Sequence, residues 1–422
     1  QKTAYEIGVR LVGSEMCIRD RCGLTNKTEK GSCYMKIRSV KAWWLHVPIP
    51  ESQQHRSDFG LVDAFDMTLI RIETECGLVG HGEAKSTVAS AGDNRALAIM
   101  IEKELGPQLI GQDCRTISKH WENLYSGVRG HYALDRGHVF PILGRRGITI
   151  SAISGIDIAL WDILGQSLDT PVWQLLGGRR HEKMPAYASG GWASADQIGD
   201  QLLSYIDKGG FKAVKMRIGV ADGEVRHSEK RVQAARKALG NDIDIMCDAH
   251  GTYTVSEAKR FCRMVEDYNI AWFEEPVTAD DKKGLSEVRS FTDIPIATGE
   301  NEATRFSFRD LAELRAADIF QPDLAICGGI TDGSRIAAIA SAYQIRLAPH
   351  LWGGALMFAA GLHLCAASPA AFIIEYSLGA NPMLFELSPE APVCIGGYVE
   401  IPDRPGLGVT INNDFVEHYA VK

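Results

Sequence analysis

No two of the ten cysteines in this chain are spaced as Cys-x-x-Cys, and they follow no regular interval. That argues against a disulfide framework and for reduced thiols in the cytoplasm. A basic surplus is missing too: 45 Lys and Arg stand against 53 Asp and Glu, giving a net charge of −8 and a pI near 5.9. Without a basic patch, nucleic-acid binding is not expected. The chain also lacks an unbroken apolar run long enough to be a membrane span. The nearest candidate, Leu351 to Ile374, contains His363, Pro369 and several glycines. It falls within a strand–helix alternation, so it reads as a buried helix with flanking turns, and no membrane partner is expected.

The first 34 residues have no continuous apolar core, which excludes a secretory signal. The segment from Ala4 to Asp20 resembles translated sequencing-adapter DNA, and the native start is expected at Met35. Residues 1–34 are therefore set aside as a non-native leader, with Cys17, Cys22 and Cys33. The remaining composition is that of an ordinary globular protein, 45% hydrophobic and 23% charged. Its length suits two or three domains, or a barrel with an appended domain.

What the chain does contain is a repeat of acids. Asp248, Glu274 and Glu300 lie 26 positions apart, and each closes a short apolar run. The interval is about one strand plus one helix, the sequence form of a barrel of βα units. Parallel neighbouring strands bring such ends to one rim. A single carboxylate there would be a solvated loop residue. Three in register repel one another, and a divalent cation between them resolves the repulsion; hard oxygen ligands favour Mg²⁺. Glu275 is expected to point the other way on an extended strand.

The pattern of elements agrees. From Met35 to about Cys76 it suggests antiparallel strands, with a turn at Glu75-Cys76-Gly77-Leu78. Helical periodicity follows from about Ala91 to Tyr125 and from Ile148 to Leu168. Candidate strands over 184–190, 212–218, 243–248, 270–274, 294–299, 318–322, 345–349 and 371–376 alternate with helices and read as a parallel barrel. The end of the chain returns to turn-rich β character and is expected to pack back on the N-terminal part.

Further strand ends carry reactive types. Asp323 closes Ile319-Phe320-Gln321-Pro322-Asp323, and His350 closes Leu347-Ala348-Pro349-His350. A histidine bonded to a carboxylate has its tautomer fixed and makes a competent base near neutral pH. Glu375, ending the last strand, is placed to grip a substrate oxygen. Lys215 and Arg217 share one face of a strand by period-two alternation, and two cations beside a metal would bind an anionic ligand.

Together these residues resemble the enolase superfamily, in its mandelate racemase-like branch, over essentially all of residues 35–422. The resemblance implies an α/β fold: a modified (β/α)7β TIM-type barrel with an α+β capping domain. The expected division is 35–183 for the cap, 184–384 for the barrel and 385–422 for a segment returning to the cap. It also implies abstraction of a proton α to a carboxylate, with Mg²⁺ held by Asp248, Glu274 and Glu300. Mg²⁺, Lys215 and a protonated Glu375 would stabilise the enediolate. The pairing of a Lys or His base with Mg²⁺ is a general property of that superfamily.

Two departures from the branch direct the reading. Its racemases carry a second lysine where this chain has Arg217, and arginine keeps its proton. With His350 as the one base, dehydration is favoured over racemisation. His250 stands where many relatives have asparagine, and in some acid-sugar dehydratases of the branch a histidine here resembles a general acid. Alternation points His250 to the side of Asp248 if the strand continues. The expectation is a Mg²⁺-dependent dehydratase converting a 2R aldonate or aldarate to a 2-keto-3-deoxy acid. The rivals are a cycloisomerase or epimerase acting on a sugar acid or its lactone, and a metal-binding homologue without activity. The partner is a small-molecule carboxylate, and relatives of the branch imply a homo-oligomer. Specificity is expected from the segments 48–60 and 81–93.

Overall fold

The alternating segments at the start become strands β1 (Ile37–Pro48), β2 (His55–Ser57), β3 (Gly60–Val62), β4 (Ala64–Thr74) and β5 (Val79–Ala84). The computed structural model describes residues 35–57, 60–127, 146–220 and 222–421, so the expected leader lies outside the described residues. β4 pairs antiparallel with β1 and β5 in a three-stranded sheet, and the β4–β5 turn falls at Glu75–Leu78 as the sequence suggests. β2 and β3 form a separate small hairpin.

The helix Ile148–Ser167 lies directly on this sheet. Glycine makes the approach possible: a Cβ at Gly82 would sit 1.9 Å from the Gly155 carbonyl oxygen, and one at Gly80 would sit 2.2 Å from that of Ala159. Ile150, Ile153, Ile156, Leu160 and Ile163 are buried there. Among the described residues this is the one helix long and apolar enough to cross a membrane, and 78% of its apolar window is buried within the fold. The helix expected from Ala91 to Tyr125 is instead broken. It runs as Arg95–Met100, a wider π turn Ile101–Leu105 and a 3₁₀ turn Gly106–Gln108, then resumes at Ile117–Ser126. Pro107 has no N–H to continue the ladder.

The strand–helix alternation then builds β6 (Lys183–Gly190), β7 (Ala213–Arg217), β8 (Asp244–Asp248), β9 (Ile270–Glu274), β10 (Ile296–Thr298), β11 (Ile319–Phe320), β12 (Arg346–Leu347) and β13 (Ile374–Ser377). Successive strands pair in parallel, and β13 pairs back on β6. The ladder does not close: only an isolated bridge, Leu347 with Ala371, joins β12 to the segment before β13. The two shortest strands stop ahead of Pro322 and Pro349, which cannot donate to a ladder. Tyr187, Ala213, Met246, Trp272, Ala297, Ile319 and Ala348 fill the interior. The apolar run noted above becomes the helix Ala355–Ala367, buried over nearly all its length.

The end of the chain does two things where one was expected. The hairpin β14 (Cys394–Ile395) and β15 (Tyr398–Glu400) extends the barrel sheet, with β15 antiparallel to β6. Only then does the tail reach β1, where Val421 N–H donates to the Trp44 carbonyl at 2.9 Å. The molecule is thus an α/β barrel under an N-terminal capping domain.

One joint between cap helix and barrel is sensitive to pH. Asp157, on the helix Ile148–Ser167, accepts the Thr331 N–H at 2.8 Å, and its other oxygen has no hydrogen-bond partner. Burial raises its pKa from 3.8 to about 7. A carboxyl raised in the folded state stabilises most below its unfolded pKa, and that contribution is lost as pH climbs through about 7. Asp157→Asn is therefore expected to raise the Tm by roughly 2–5 °C at pH 8.5 and much less at pH 5. Thermal scans at the two pH values test this; an equal shift at both would refute the assignment.

Candidate active site

The polar centre forms where the parallel strands end. Asp248 and Glu274 are direct ladder partners on β8 and β9. Glu300 follows β10 through Gly299, whose φ of +133° turns the chain; a Cβ there would sit 2.7 Å from the Phe308 ring. All three carboxylates are buried.

Their partners differ. Among the described residues neither oxygen of Glu300 has a hydrogen-bond partner. One oxygen of Asp248 accepts the His250 N–H at 3.0 Å, and the Arg217 guanidinium lies against the other. Ligand atoms of Asp248, His250 and Glu300 all lie within 4.8 Å of one another. Glu274 departs from the expected trio. It accepts from Lys215 Nζ at 2.5 Å and from Trp272 Nε1 at 2.9 Å, so both its oxygens are engaged. The cause is electrostatic: the fully buried Lys215 ammonium needs anions, and Glu274, Glu375 at 3.1 Å and Asp248 at 3.3 Å surround it. Burial alone would lower the Lys215 pKa, but Glu274 and Glu375 drive it up. Glu300, buried and without a hydrogen-bond donor among the described residues, with Asp248 close by, suits a hard divalent cation.

Glu375 also differs from expectation. Burial favours its neutral form, but Lys215 and His350 outweigh burial and hold it well below the usual carboxylate range. It also accepts from Ser189 Oγ at 2.7 Å and Leu351 N at 2.8 Å. Both oxygens act as acceptors in these contacts, whereas the expected protonated form would have one of them donate. Glu275 is not on an extended strand: its φ is +40°, and its buried carboxyl accepts from Asn301 Nδ2 at 3.0 Å. Burial and Glu300 raise its pKa well above the ordinary value.

His350 and Asp323 meet as the sequence suggests. Nδ1 of His350 is 2.7 Å from Asp323 Oδ2, and Nε2 is 3.6 Å from Glu300 Oε2. Burial would lower the His350 pKa, but Glu300, Glu375 and Asp323 together raise it. His250 reaches the same centre by a different route. β8 stops at Asp248, and His250 takes φ +45° in a turn. Its Nε2 is 2.8 Å from Arg217 Nη1 and 3.5 Å from Glu300 Oε1. Arginine can only donate, so this nitrogen accepts and carries no proton in that contact.

A cavity of about 280 Å³ opens over these groups. Arg217, His250, Glu300 and His350 form its floor, with Trp192 and Trp352 beside them. The segment 81–93 contributes Val88, Ala89, Ala91 and Gly92, and the cap adds Leu61 to Ala64 and Asp66; of the expected segment 48–60, residues 58 and 59 lie outside the described residues. His46 also faces the cavity, its Nδ1 2.9 Å from Asp66.

Sequence reasoning missed two residues at the end of β5. Glu83 accepts the backbone N–H groups of Gly354 and Met357 at 2.7 and 3.0 Å, capping the helix Ala355–Ala367. Lys85 reaches Asp323 Oδ2 at 2.6 Å. The available signal was two charged residues flanking Ala84 at the end of the strand Val79-Gly80-His81-Gly82-Glu83-Ala84.

A parallel α/β barrel whose polar centre lies at the carboxyl ends of its strands, roofed by a small antiparallel sheet, defines the class. Comparison with known proteins then gives the family. Residues 40–177 match the mandelate racemase / muconate lactonizing enzyme N-terminal domain, and residues 197–415 match the enolase C-terminal domain-like family. The chain belongs to the enolase superfamily, in its mandelate racemase-like branch. It is 34% identical to the D-galactarolactone cycloisomerase of Agrobacterium fabrum, covering 92% of this chain and 99% of that protein. It is also 34% identical to the arabinonate dehydratase of Saccharolobus solfataricus, covering 85% and 91%. A racemase structure from Streptomyces coelicolor with bound magnesium superposes with a TM-score of 0.78 at 29% identity, covering 91% of this chain and all of that one.

Proposed function

We propose that this protein is a Mg²⁺-dependent hydro-lyase that converts a sugar acid, an aldonate or aldarate, to its 2-keto-3-deoxy acid. The observation that carries the reading is the placement of His350: fixed by Asp323 at 2.7 Å, its Nε2 lies 3.6 Å from Glu300 at the cavity floor. A base thus stands beside the carboxylates that would hold the cation. Asp248 and Glu300 would be its ligands, with Glu274, across the ladder from Asp248, as the third. Mg²⁺ supplies Lewis-acid stabilisation of the charge that develops on a substrate carboxylate.

The protein's own groups supply the rest. His350 Nε2 removes the α-proton, and Asp323 steadies the imidazolium that results. Lys215, buried among carboxylates, contributes a permanent positive charge near the developing anion. Arg217 binds and orients the substrate but provides no second base, which favours elimination over inversion. Trp192, Trp352, Val88, Ala89, Ala91 and Gly92 give the cavity a largely apolar wall.

Two routes return a proton to the departing hydroxyl: from His250, or from His350 in a syn elimination. His250→Asn separates them. If dehydration falls by roughly 10²-fold or more while α-hydrogen exchange in D₂O survives, His250 is the acid. If both persist, His350 serves twice.

The direct test is to incubate the Mg²⁺-loaded protein with a library of open-chain aldonates and aldarates and to read 2-keto acid by NMR. Turnover of sugar-acid lactones alone, without loss of water, would replace this reading by a cycloisomerase. The cycloisomerase relative covered over 99% of its length gives that second reading its weight. We also place the protein in the cytoplasm, as a homo-oligomer acting on a small carboxylate. The seven described cysteines are unpaired, and Val393 and Ile395 at the sheet edge are 62% and 75% exposed. Cell fractionation tests the location, and sedimentation velocity the assembly.

A further inference from the structure

The base is held from outside the barrel. Lys85, at the end of the capping strand β5, is fully buried, yet its ammonium has three acceptors. It lies 2.6 Å from Asp323 Oδ2, 2.6 Å from the Trp352 carbonyl and 3.4 Å from the Val88 carbonyl. The first is the same oxygen that His350 Nδ1 approaches at 2.7 Å. The second belongs to the residue two positions after His350. Lys85 therefore grips the base twice, through its carboxylate partner and through the backbone that follows it. The third acceptor begins the capping segment Val88–Gly92, which lines the substrate cavity. Ser90 Oγ ties that segment to the same Trp352 carbonyl at 2.9 Å.

We propose that Lys85 is a positioning residue for His350, making the aim of the base depend on the capping segment 85–92 being seated on the barrel. The other oxygen of Asp323, Oδ1, accepts the Ala325 N–H at 2.9 Å, which leaves Oδ2 as the one that must be set toward the imidazole. With Lys85 on one side of Oδ2 and His350 on the other, that oxygen has one position, and the imidazole plane follows from it. A substrate pressing on Val88–Gly92 then bears on the element that orients the base. The inference rests on His350 being the base of the proposed reaction.

The test begins without substrate, on the full-length Mg²⁺-loaded protein. The hydrogen-bonded Nδ1 proton of His350, assigned by its disappearance in His350→Asn, gives a downfield NMR resonance. In Lys85→Met, at a Tm close to that of the parent, this resonance is expected to broaden or vanish, while Lys85→Gln, which keeps a donor, retains it. With an active sugar acid, Lys85→Met is expected to lower kcat by 30-fold or more while KM stays within threefold, and Lys85→Gln to recover much of the loss. An unchanged resonance in Lys85→Met, or a loss expressed in KM alone, overturns the proposal. Should Lys85→Met not fold, Lys85→Met/Asp323→Asn leaves neither charge unpaired and is compared with Asp323→Asn. Residual α-hydrogen exchange equal to that of Asp323→Asn, or lower by the share carried through Trp352, supports positioning of the base; exchange restored above that of Asp323→Asn overturns it. If no sugar acid reacts with the parent protein, the functional reading fails, and the resonance still decides the role of Lys85.

Discussion

His350→Asn is expected to lower turnover by roughly 10³-fold or more and to abolish α-hydrogen exchange in D₂O with it. Both losses are required because the neighbouring basic groups cannot take its place. Arg217 keeps its proton, the lone pair of His250 Nε2 is engaged by the Arg217 guanidinium at 2.8 Å, and Lys215 is buried among Glu274, Glu375 and Asp248, which stabilise its charged form. Asn preserves a polar side chain of similar reach, so the fold is expected to survive. Asp323→Asn leaves the imidazole in place but favours the wrong tautomer, with an expected loss of about 10²–10⁴-fold. ¹H NMR of the substrate in D₂O measures exchange independently of dehydration. Exchange that persists in His350→Asn would mean a second base, and the one-base mechanism would fall.

Glu300→Gln is the second large effect, and it has opposite signs in two measurements. Glu300 is buried, and among the described residues neither of its oxygens has a hydrogen-bond donor, so replacing it breaks no hydrogen bond of the metal-free fold. The substitution is expected to weaken Mg²⁺ binding by at least about 100-fold, since one of few anionic ligands is lost. Stripped of metal by EDTA, the same variant is expected to melt at or above the parent temperature. Calorimetric scans with and without Mg²⁺ give both numbers. A metal-dependent rise in Tm preserved in Glu300→Gln would remove Glu300 from the site.

The barrel was legible in the sequence because its strands are short, buried on both faces and closed by acids at a constant interval. Asp248, Glu274 and Glu300 mark three of them, and Asp323, His350 and Glu375 the last three. What was not legible depends on contacts across hundreds of residues. Lys85 lies 238 positions from Asp323 and resembles any solvated lysine after a strand. Glu274 was read correctly as pointing inward, but no spacing reveals that Lys215 and Trp272 engage both its oxygens. His250 was placed near Asp248 by assuming a continuing strand. It arrives through a left-handed turn instead, a conformation that its residue type does not announce. The first cap helix breaks at Gly106-Pro107, which apolar periodicity alone does not register.

The glycines between β5 and the helix Ile148–Ser167 have a consequence for anyone recombining relatives of this protein. Backbone touches backbone at Gly82 and Gly155, so neither element can be exchanged without the other. The next contacts continue the block: Thr331 donates to Asp157, and Gly328 N–H donates to Ser154 Oγ at 2.8 Å. A chimera cut between strand and helix would join two surfaces that fit only their own counterparts. Crossover points therefore belong outside the block that runs from β5 to the helix Ile148–Ser167, as in the segment 60–64 ahead of β4, where Leu61 to Ala64 line the cavity and a new substrate preference would be selected first.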